Sequence, residues 1–237
     1  MRLCFRVAGV ERTSDLEERI AAIAALDQPL RRDLYRVLST ADGWTSRDEA
    51  AAALGVGRPV AAFHLDKLVE AGVVEIRFER LTGRSGPGAG RPAKLYRPSQ
   101  VDLAASVPER HYDLAGSLLA AAVAEATESA KPVVDCLAAV AHATGRQIGT
   151  VARESGDENG SVLDALRQHG YEPRAIAGGD IVLANCPFHR LAEEHRSLIC
   201  AMNLDFLEGL VEGLSPSGGL SPRLQPEPGY CCVRIAT

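Results

Sequence analysis

Residues 45–72 read TSRDEAAAALGVGRPVAAFHLDKLVEAG, and this stretch decides the fold of the first part of the chain. Ser46 and Glu49 have the spacing of a capping box, in which each side chain satisfies a backbone N–H at a helix start. The glycine-containing turn at 55–57 interrupts this helix, and Pro59 suits the first turn of a second one. That second helix carries apolar residues at helical spacing: Ala61, Leu65, Leu68 and Val69. Two helices joined by a short turn predict a helix-turn-helix.

The residues after this pair of helices predict a wing. The next strand is expected to bury three alternating side chains, those of Val74, Ile76 and Phe78. The loop over residues 82–92 contains four glycines and two arginines, Arg84 and Arg91. Residues 94–97 then form the returning strand. Two strands around a basic, glycine-rich tip complete a winged helix-turn-helix.

The charge of the chain is divided unevenly. The formal net charge is −5, but residues 28–100 contain 12 lysines and arginines against 8 aspartates and glutamates. The basic excess lies where the second helix and the wing are predicted, and the acidic remainder is expected to face away from phosphate. No apolar run approaches the ~20 residues of a membrane span, and residues 1–12 lack a signal-peptide pattern. We therefore expect a soluble, cytoplasmic protein.

The second helix is the expected recognition helix, which places its first residues against base edges in the major groove. Arg58 suits bidentate recognition of guanine, and Val60 or Phe63 suits contact with a thymine methyl group. Basic residues of this helix and of the wing are expected to contact phosphates. The predicted DNA-binding residues are Arg58, Pro59, Val60, Ala62, Phe63, His64, Lys67, Arg84, Arg91 and Lys94.

The fold class we predict is α+β, with three parts. The winged helix-turn-helix occupies residues 14–100, a long alanine-rich helix occupies 101–132, and a C-terminal α+β sensor domain occupies 133–237. The alanine-rich helix is expected to link the domains and to pair two protomers. A protein that recognises a two-fold symmetric DNA site needs to be a two-fold symmetric dimer. Packing on its own chain is the alternative. The C-terminal domain is expected to contain a β-hairpin at 171–184 and a loop at 215–229.

Four of the six cysteines lie in the last quarter of the chain. In a cytoplasmic protein they are expected to be thiols or metal ligands rather than disulfides. Thiolates suit zinc or iron–sulfur clusters, and imidazole suits zinc or iron. The candidate metal ligands are Cys186, Cys200, Cys231, Cys232, His189 and His195. The alternative is that the cysteines are reduced packing residues, as we expect for Cys136.

Geometry sets a condition for a shared site. A continuous helix would hold Cys186 and Cys200 about 21 Å apart, whereas two sulfurs on one zinc lie within about 4 Å. The chain must therefore fold back between them, and residues 193–196 are expected to form the bend. The last two cysteines fall in a predicted strand, so alternation is expected to send only one of them to the site, Cys231 or Cys232.

At this point the chain resembles a known family. FHLDKLVEAGVV at residues 63–74 and GRPAKLY at residues 90–96 are similar to bacterial ArsR-like winged-helix regulators. GYEP at residues 170–173 and NCPF at residues 185–188, together with Cys200, are similar to the branch that contains the SufR-type iron–sulfur repressors. In that branch, C-terminal cysteines hold an iron–sulfur cluster and the holo dimer represses genes for cluster assembly.

The resemblance implies that Cys186 and Cys200 are the first two ligands of a [2Fe–2S] or [4Fe–4S] cluster. The gap from Cys200 to Cys231 is longer than the pattern of that branch. We predict a homodimeric repressor that reads a palindromic operator in double-stranded DNA and senses a cluster, redox state or a metal such as zinc. One alternative is a winged-helix regulator of a small organic ligand with structural cysteines. Another, an enzyme with a cysteine nucleophile and a histidine base, lacks an oxyanion-stabilising motif, so no catalytic residue is assigned.

Overall fold

The structure, a computed structural model, describes residues 16–79, 92–100, 104–154 and 162–237. The chain separates into two compact units, Met1–Ala105 and Ser106–Thr237. The two wing arginines of the sequence prediction, Arg84 and Arg91, lie outside the described residues. Each helix that the structure describes is too short or too polar to cross a lipid bilayer.

The first unit combines helices with an antiparallel sheet. Along the chain its described elements are α1 (Leu16–Ala25), α2 (Pro29–Thr40), β1 (Thr45–Ser46), α3 (Arg47–Leu54), α4 (Arg58–Glu70), β2 (Val74–Glu79) and β3 (Ala93–Pro98). The strands lie in the order β1-β3-β2, and Tyr96 of β3 stands between Thr45 and Ile76. The antiparallel pair β2 and β3 is the predicted wing.

The helix-turn-helix forms for the local reasons that its sequence indicates. The Ser46 hydroxyl accepts a hydrogen bond from the Glu49 backbone N–H at 3.2 Å, and the Glu49 carboxylate accepts one from the Ser46 backbone N–H at 2.7 Å. Gly55 ends α3 in the left-handed conformation, with φ of 64°, which a residue with a Cβ rarely adopts. Pro59 lies in the first turn of α4. The predicted capping box, turn and second helix are confirmed.

The core of the first unit lies between the helices and one face of the sheet. Its largest fully buried side chains are Leu34, Leu38, Leu65, Leu68 and Tyr96. Val74 is also buried, whereas Phe78 is 61% exposed. The prediction that Phe78 is buried is wrong, because the packed helices cover only the beginning of β2.

The second unit is also a mixture of helices and strands. Its described elements are α5 (Tyr112–Ser129), α6 (Val133–Glu154), α7 (Val162–Gln168), β4 (Pro173–Ala175), β5 (Ile181–Leu183), α8 (His189–Glu194), α9 (Arg196–Leu214), β6 (Ser221–Leu224) and β7 (Val233–Ala236). The antiparallel strands lie in the order β4-β5-β7-β6. The predicted hairpin is confirmed as β4 and β5.

Helices α6 and α9 approach each other so closely that their backbones touch. A Cβ placed on Gly145 of α6 would lie 2.0 Å from the Phe206 carbonyl oxygen. A Cβ on Gly209 of α9 would lie 2.0 Å from the His142 carbonyl oxygen. These glycines are needed for close approach of the two helices, not for an unusual backbone angle.

The alanine-rich helix differs from its prediction in where it begins and what it contacts. Helix α5 begins at Tyr112, and its residues Ala115, Leu118 and Ala122 are buried in the core of the second unit. The segment that was expected to be a separate linker therefore contributes to that core. Pairing of two protomers through its exposed side stays a prediction.

We predicted that the whole segment 215–229 is a loop. This prediction is wrong in part, because the segment contains strand β6. Pro222 lies within this strand and pairs with Ile235 of β7. Proline lacks the N–H that an interior strand needs, so it argued against a strand. Strand β6 lies at the edge of the sheet, where proline is tolerated.

Candidate DNA interface and thiol cluster

The first two turns of α4 present one face to solvent and bury the other. The Arg58 side chain is 63% exposed, and Val60 and Phe63 are 44% and 59% exposed. On the opposite face, Ala61 and Leu65 are completely buried. The side chains of Arg58, Val60 and Phe63 therefore face solvent, while the opposite side of the same helix packs in the core.

The remaining predicted residues of α4 divide between the two faces. Pro59 is exposed, whereas Ala62 and His64 are half-buried. The ring of Phe63 meets the ring of His64 edge-on, with centroids 5.2 Å apart. His64 therefore supports the exposed Phe63 by packing against it.

The start of α4 is tied to the start of α3 by an ion pair. The Arg58 Nε lies 2.8 Å from the Asp48 Oδ1, and both side chains are more than 60% exposed. The pair uses Nε, while bidentate recognition of guanine uses two donor nitrogens of the guanidinium fork. Asp48 therefore restrains Arg58 at the surface where we expect DNA.

The two predicted phosphate-binding lysines have different environments. Lys67 is 43% exposed and lies 2.5 Å from Glu70 one turn later. Lys94 is only 18% exposed, and its ammonium lies 2.5 Å from the Asp66 carboxylate. Tyr96 also donates its hydroxyl to Asp66, at 3.2 Å, and burial together with this carboxylate raises the pKa of Tyr96 to about 12. Lys94 thus fastens β3 to α4.

The sequence interpretation missed two arginines beside the wing. Arg77 and Arg97 place their guanidinium carbons 4.8 and 4.5 Å from the centroid of the Trp44 ring. Arg97 also pairs with Glu75, its neighbour across the strands. Strand alternation places these arginines on the sheet face opposite Tyr96. The alternation of residues along the two strands, together with a tryptophan just before β1, was the sequence signal that could have indicated this stacking.

The chain folds back between Cys186 and Cys200, as the geometric condition required. Helix α8 ends at Glu194 and α9 begins at Arg196, so the predicted bend is confirmed. The thiol groups of Cys186 and Cys232 interact with the sulfur of Cys231. Cys232 also interacts with Cys200. We call these four residues the thiol cluster: Cys186, Cys200, Cys231 and Cys232.

The prediction that only one of the last two cysteines reaches the site is wrong. Both Cys231 and Cys232 interact with other thiols of the cluster. They precede β7, which begins at Val233, so strand alternation does not apply to them. The backbone N–H of Cys231 instead donates to the Leu183 carbonyl at 2.8 Å, which holds this segment beside β5.

The two candidate histidines are exposed, on the side of α8 and at its end. His189 is 55% exposed and lies 3.3 Å from Glu193. His195 is exposed at the junction of α8 and α9. Among the described residues, neither imidazole joins the thiols in a group that could hold a metal ion.

The hydrogen bonds within the thiol cluster separate the acidities of its members. Donation from Cys186 and then Cys232 holds the pKa of Cys231 well below its ordinary range. The same bonds, together with burial, raise the pKa values of Cys186 and Cys232. The interactions within the cluster therefore shift the pKa of Cys231 in the opposite direction from those of Cys186 and Cys232.

An asparagine and a tyrosine also belong to this site, and the sequence interpretation missed both. Asn203 donates its side-chain N–H to the Cys231 sulfur at 3.2 Å. Tyr171 donates its hydroxyl to the Asn203 side-chain oxygen at 2.5 Å. Asn203 has no exposed surface, and Tyr171 is 2% exposed. The available signal was a polar residue in the apolar face of α9, three positions after Cys200.

The thiol cluster has the donor chemistry of a metal site, but the side chains are not arranged as a finished one. Among the described residues, no group of three or more His, Cys, Asp or Glu side chains is placed to hold a metal ion. Four thiols in a largely apolar surrounding suit zinc or iron–sulfur ligation by type and by number. Binding requires loss of the thiol protons and rotation of the sulfurs from one another toward a shared centre.

Comparison with known proteins supports the first unit alone. Residues 26–77 match the family model of a helix-turn-helix domain. No curated protein and no solved structure matches the chain. The matched residues extend from just before α2 into β2 and include all of α3 and α4. Residues 26–77 therefore form a helix-turn-helix domain, which indicates a DNA-binding transcription regulator.

Proposed function

We propose that this protein is a homodimeric winged-helix repressor that binds a palindromic operator. The observation that carries the proposal is the two-sided character of α4. Its inner face is fixed in the core by Leu65 and Leu68, while Arg58, Val60 and Phe63 remain exposed. An exposed guanidinium beside exposed apolar groups is suited to guanine and to the thymine methyl group.

A selection experiment tests the DNA-binding proposal. Double-stranded DNA of random sequence is enriched for fragments that bind the full chain, and affinity is measured by fluorescence anisotropy at several salt concentrations. We expect a two-fold symmetric consensus, a specificity ratio of about 10³ or more over a scrambled duplex, and two chains bound per duplex. Equal affinity for the selected and scrambled duplexes would contradict the proposal.

We propose further that the second unit senses metal status through the thiol cluster, with an iron–sulfur cluster or zinc as the bound group. The support is the convergence of Cys186, Cys200 and the Cys231–Cys232 pair from three separate parts of the chain. A bound metal would supply cross-links among the segment after β5, helix α9 and the segment before β7. Such binding alters DNA affinity only if it favours one arrangement of the dimer over another.

Purification without oxygen tests the metal proposal. We expect bound iron or zinc by metal analysis, with sulfur-to-metal absorption bands in the iron form. Cys200→Ser should reduce the bound metal and change affinity for the selected operator. Cys136→Ser is the matched control, because Cys136 is buried in the same unit and is not among the thiols that bond within the cluster. Wild-type protein without iron or zinc would exclude this proposal.

The interaction between the thiols also favours a second candidate, in which the site senses redox state. Cys186 and Cys231 interact with each other, so a disulfide between these two residues is the expected product of oxidation. With hydrogen peroxide as oxidant, two thiols lose two electrons and two protons to form one disulfide, and the peroxide is reduced to two waters. Mass spectrometry of peroxide-treated, metal-free protein distinguishes this candidate by the loss of two hydrogens from this pair.

A further inference from the structure

The side chain of Asn203 lies between two buried partners within the second unit. Its amide nitrogen is 3.2 Å from the Cys231 sulfur, and its oxygen is 2.5 Å from the Tyr171 hydroxyl. Neither Asn203 nor Tyr171 has more than 2% of its surface exposed, and Cys231 has 4%. Water therefore does not compete for these hydrogen bonds, so the three groups depend on one another.

The direction of each hydrogen bond follows from the chemistry of the groups. Burial raises the pKa of Tyr171 well above its ordinary value, so the phenol keeps its proton and donates it. The amide oxygen is the acceptor for this proton, and the amide must therefore turn its N–H toward the sulfur. Tyr171 fixes the orientation of Asn203, and Asn203 offers a donor to Cys231.

We infer that Asn203 is a positioning residue for the metal site, which holds the Cys231 sulfur in place and tunes its strength as a ligand. The inference rests on the proposed metal sensing. A thiolate that accepts an N–H bond gives less electron density to a bound metal, and partners of this kind raise metal affinity by holding the ligand in its binding orientation. Cys231 also interacts with Cys186 and Cys232, so the position of its sulfur affects the rest of the thiol cluster.

A purely structural role for Asn203 predicts a different result. Asn203 is buried in α9, so its replacement destabilises the unit by leaving the Tyr171 hydroxyl without its acceptor. That loss changes the unfolding midpoint of the metal-free protein. It leaves the energy of a sulfur-to-metal absorption band unchanged, because that energy depends on the electron density at the sulfur.

The test uses cobalt(II) as a spectroscopic probe with the full, reduced chain. Asn203→Leu removes the N–H donor with little change in side-chain volume. Tyr171→Phe keeps this donor but removes the hydroxyl that orients it. Tyr112→Phe is the matched control, because it also removes a buried tyrosine hydroxyl from the second unit and that hydroxyl has no hydrogen-bond partner.

We expect Asn203→Leu to move the sulfur-to-cobalt bands to lower energy and to weaken cobalt binding about 10- to 100-fold, measured by competition with a chelator. Tyr171→Phe should give a smaller change in the same direction, and Tyr112→Phe should match wild type. If Asn203→Leu does not fold, the shift in Tyr171→Phe decides the question.

The two proposals fail in different ways. Wild-type protein that binds neither iron, zinc nor cobalt overturns metal sensing, and this inference with it. Wild-type protein that binds cobalt, with bands and affinity that Asn203→Leu and Tyr171→Phe leave at the level of the Tyr112→Phe control, overturns the role of Asn203 alone.

Discussion

The Nε atom of Arg58 lies 2.8 Å from the Oδ1 atom of Asp48, so the first turn of α4 is tied to the first turn of α3. Both side chains are more than 60% exposed. A surface ion pair of this kind contributes only about 0–1 kcal/mol to the free energy of unfolding. The main effect of the ion pair is therefore to orient the Arg58 side chain, because it limits where the guanidinium can lie before DNA binds.

This relationship leads to a prediction about sequence recognition. Replacing Arg58 by alanine should weaken binding to the selected operator by about 1–3 kcal/mol and relax the preference at one base pair of each half-site. Asp48→Asn should have a smaller effect of the same sign. Anisotropy titrations against a panel of single-base variants measure both effects. Arg36→Ala is the control, since Arg36 is an exposed arginine of α2 that pairs with Asp33. An equal loss of affinity for every duplex would show a phosphate contact instead.

The two lysines of the predicted interface should respond differently to replacement. Lys67→Ala removes an exposed cation and should reduce the salt dependence of DNA binding by about one unit of slope, with stability almost unchanged. Lys94→Met breaks the contact with Asp66 that fastens β3 to α4, and should lower the free energy of unfolding of the first unit. Salt titrations and urea unfolding of both variants test the contrast, which fails if Lys94→Met affects only the slope.

The close approach of α6 and α9 gives a prediction about stability. Gly145→Ala should destabilise the second unit by about 3 kcal/mol or more, because the new methyl group would lie 2.0 Å from a backbone oxygen. Gly116→Ala is the matched control in helix α5, where a Cβ meets nothing within 4 Å. This control should stabilise the unit by about 0.5–1 kcal/mol, since alanine is the better helix former. Circular dichroism during thermal unfolding measures both, and a neutral Gly145→Ala would contradict the backbone contact.

The capping box gives a prediction about pH. Hydrogen bonds from the Ser46 backbone N–H and side chain lower the pKa of Glu49 below its ordinary value of 4.5. The stabilisation from Glu49 is therefore present above that value and is lost as the pH falls through the lower pKa of the folded state. Glu49→Gln should weaken this acid dependence.

Ser46→Ala tests the other half of the same motif. The loss of the N-cap should cost about 1 kcal/mol near neutral pH. Trp44 is the only tryptophan of the sequence and lies just before β1, so its fluorescence reports unfolding of the first unit. Ser39→Ala is the control, because Ser39 is an exposed serine within α2. Equal stability of Ser46→Ala and this control would show that the capping box contributes nothing.

The sequence by itself determined the helix-turn-helix, because every signal for it is local. A helix start needs Ser46 and Glu49 three residues apart, a tight turn needs Gly55, and the inner face of α4 needs apolar residues at helical spacing. These requirements involve residues that are neighbours along the chain, so they can be recognised in the sequence without knowledge of the tertiary packing. The bend between Cys186 and Cys200 was predicted differently, as a condition for a shared site that the length of a continuous helix would not meet.

Only the tertiary structure decided which side chains meet across long separations. It brought Cys231 and Cys232 together with Cys186 and Cys200, and it placed Asn203 between Tyr171 and Cys231. It also turned Lys94 toward Asp66. Such contacts depend on how whole helices and strands pack, and periodicity in the sequence states which face is apolar but not which residue lies opposite it.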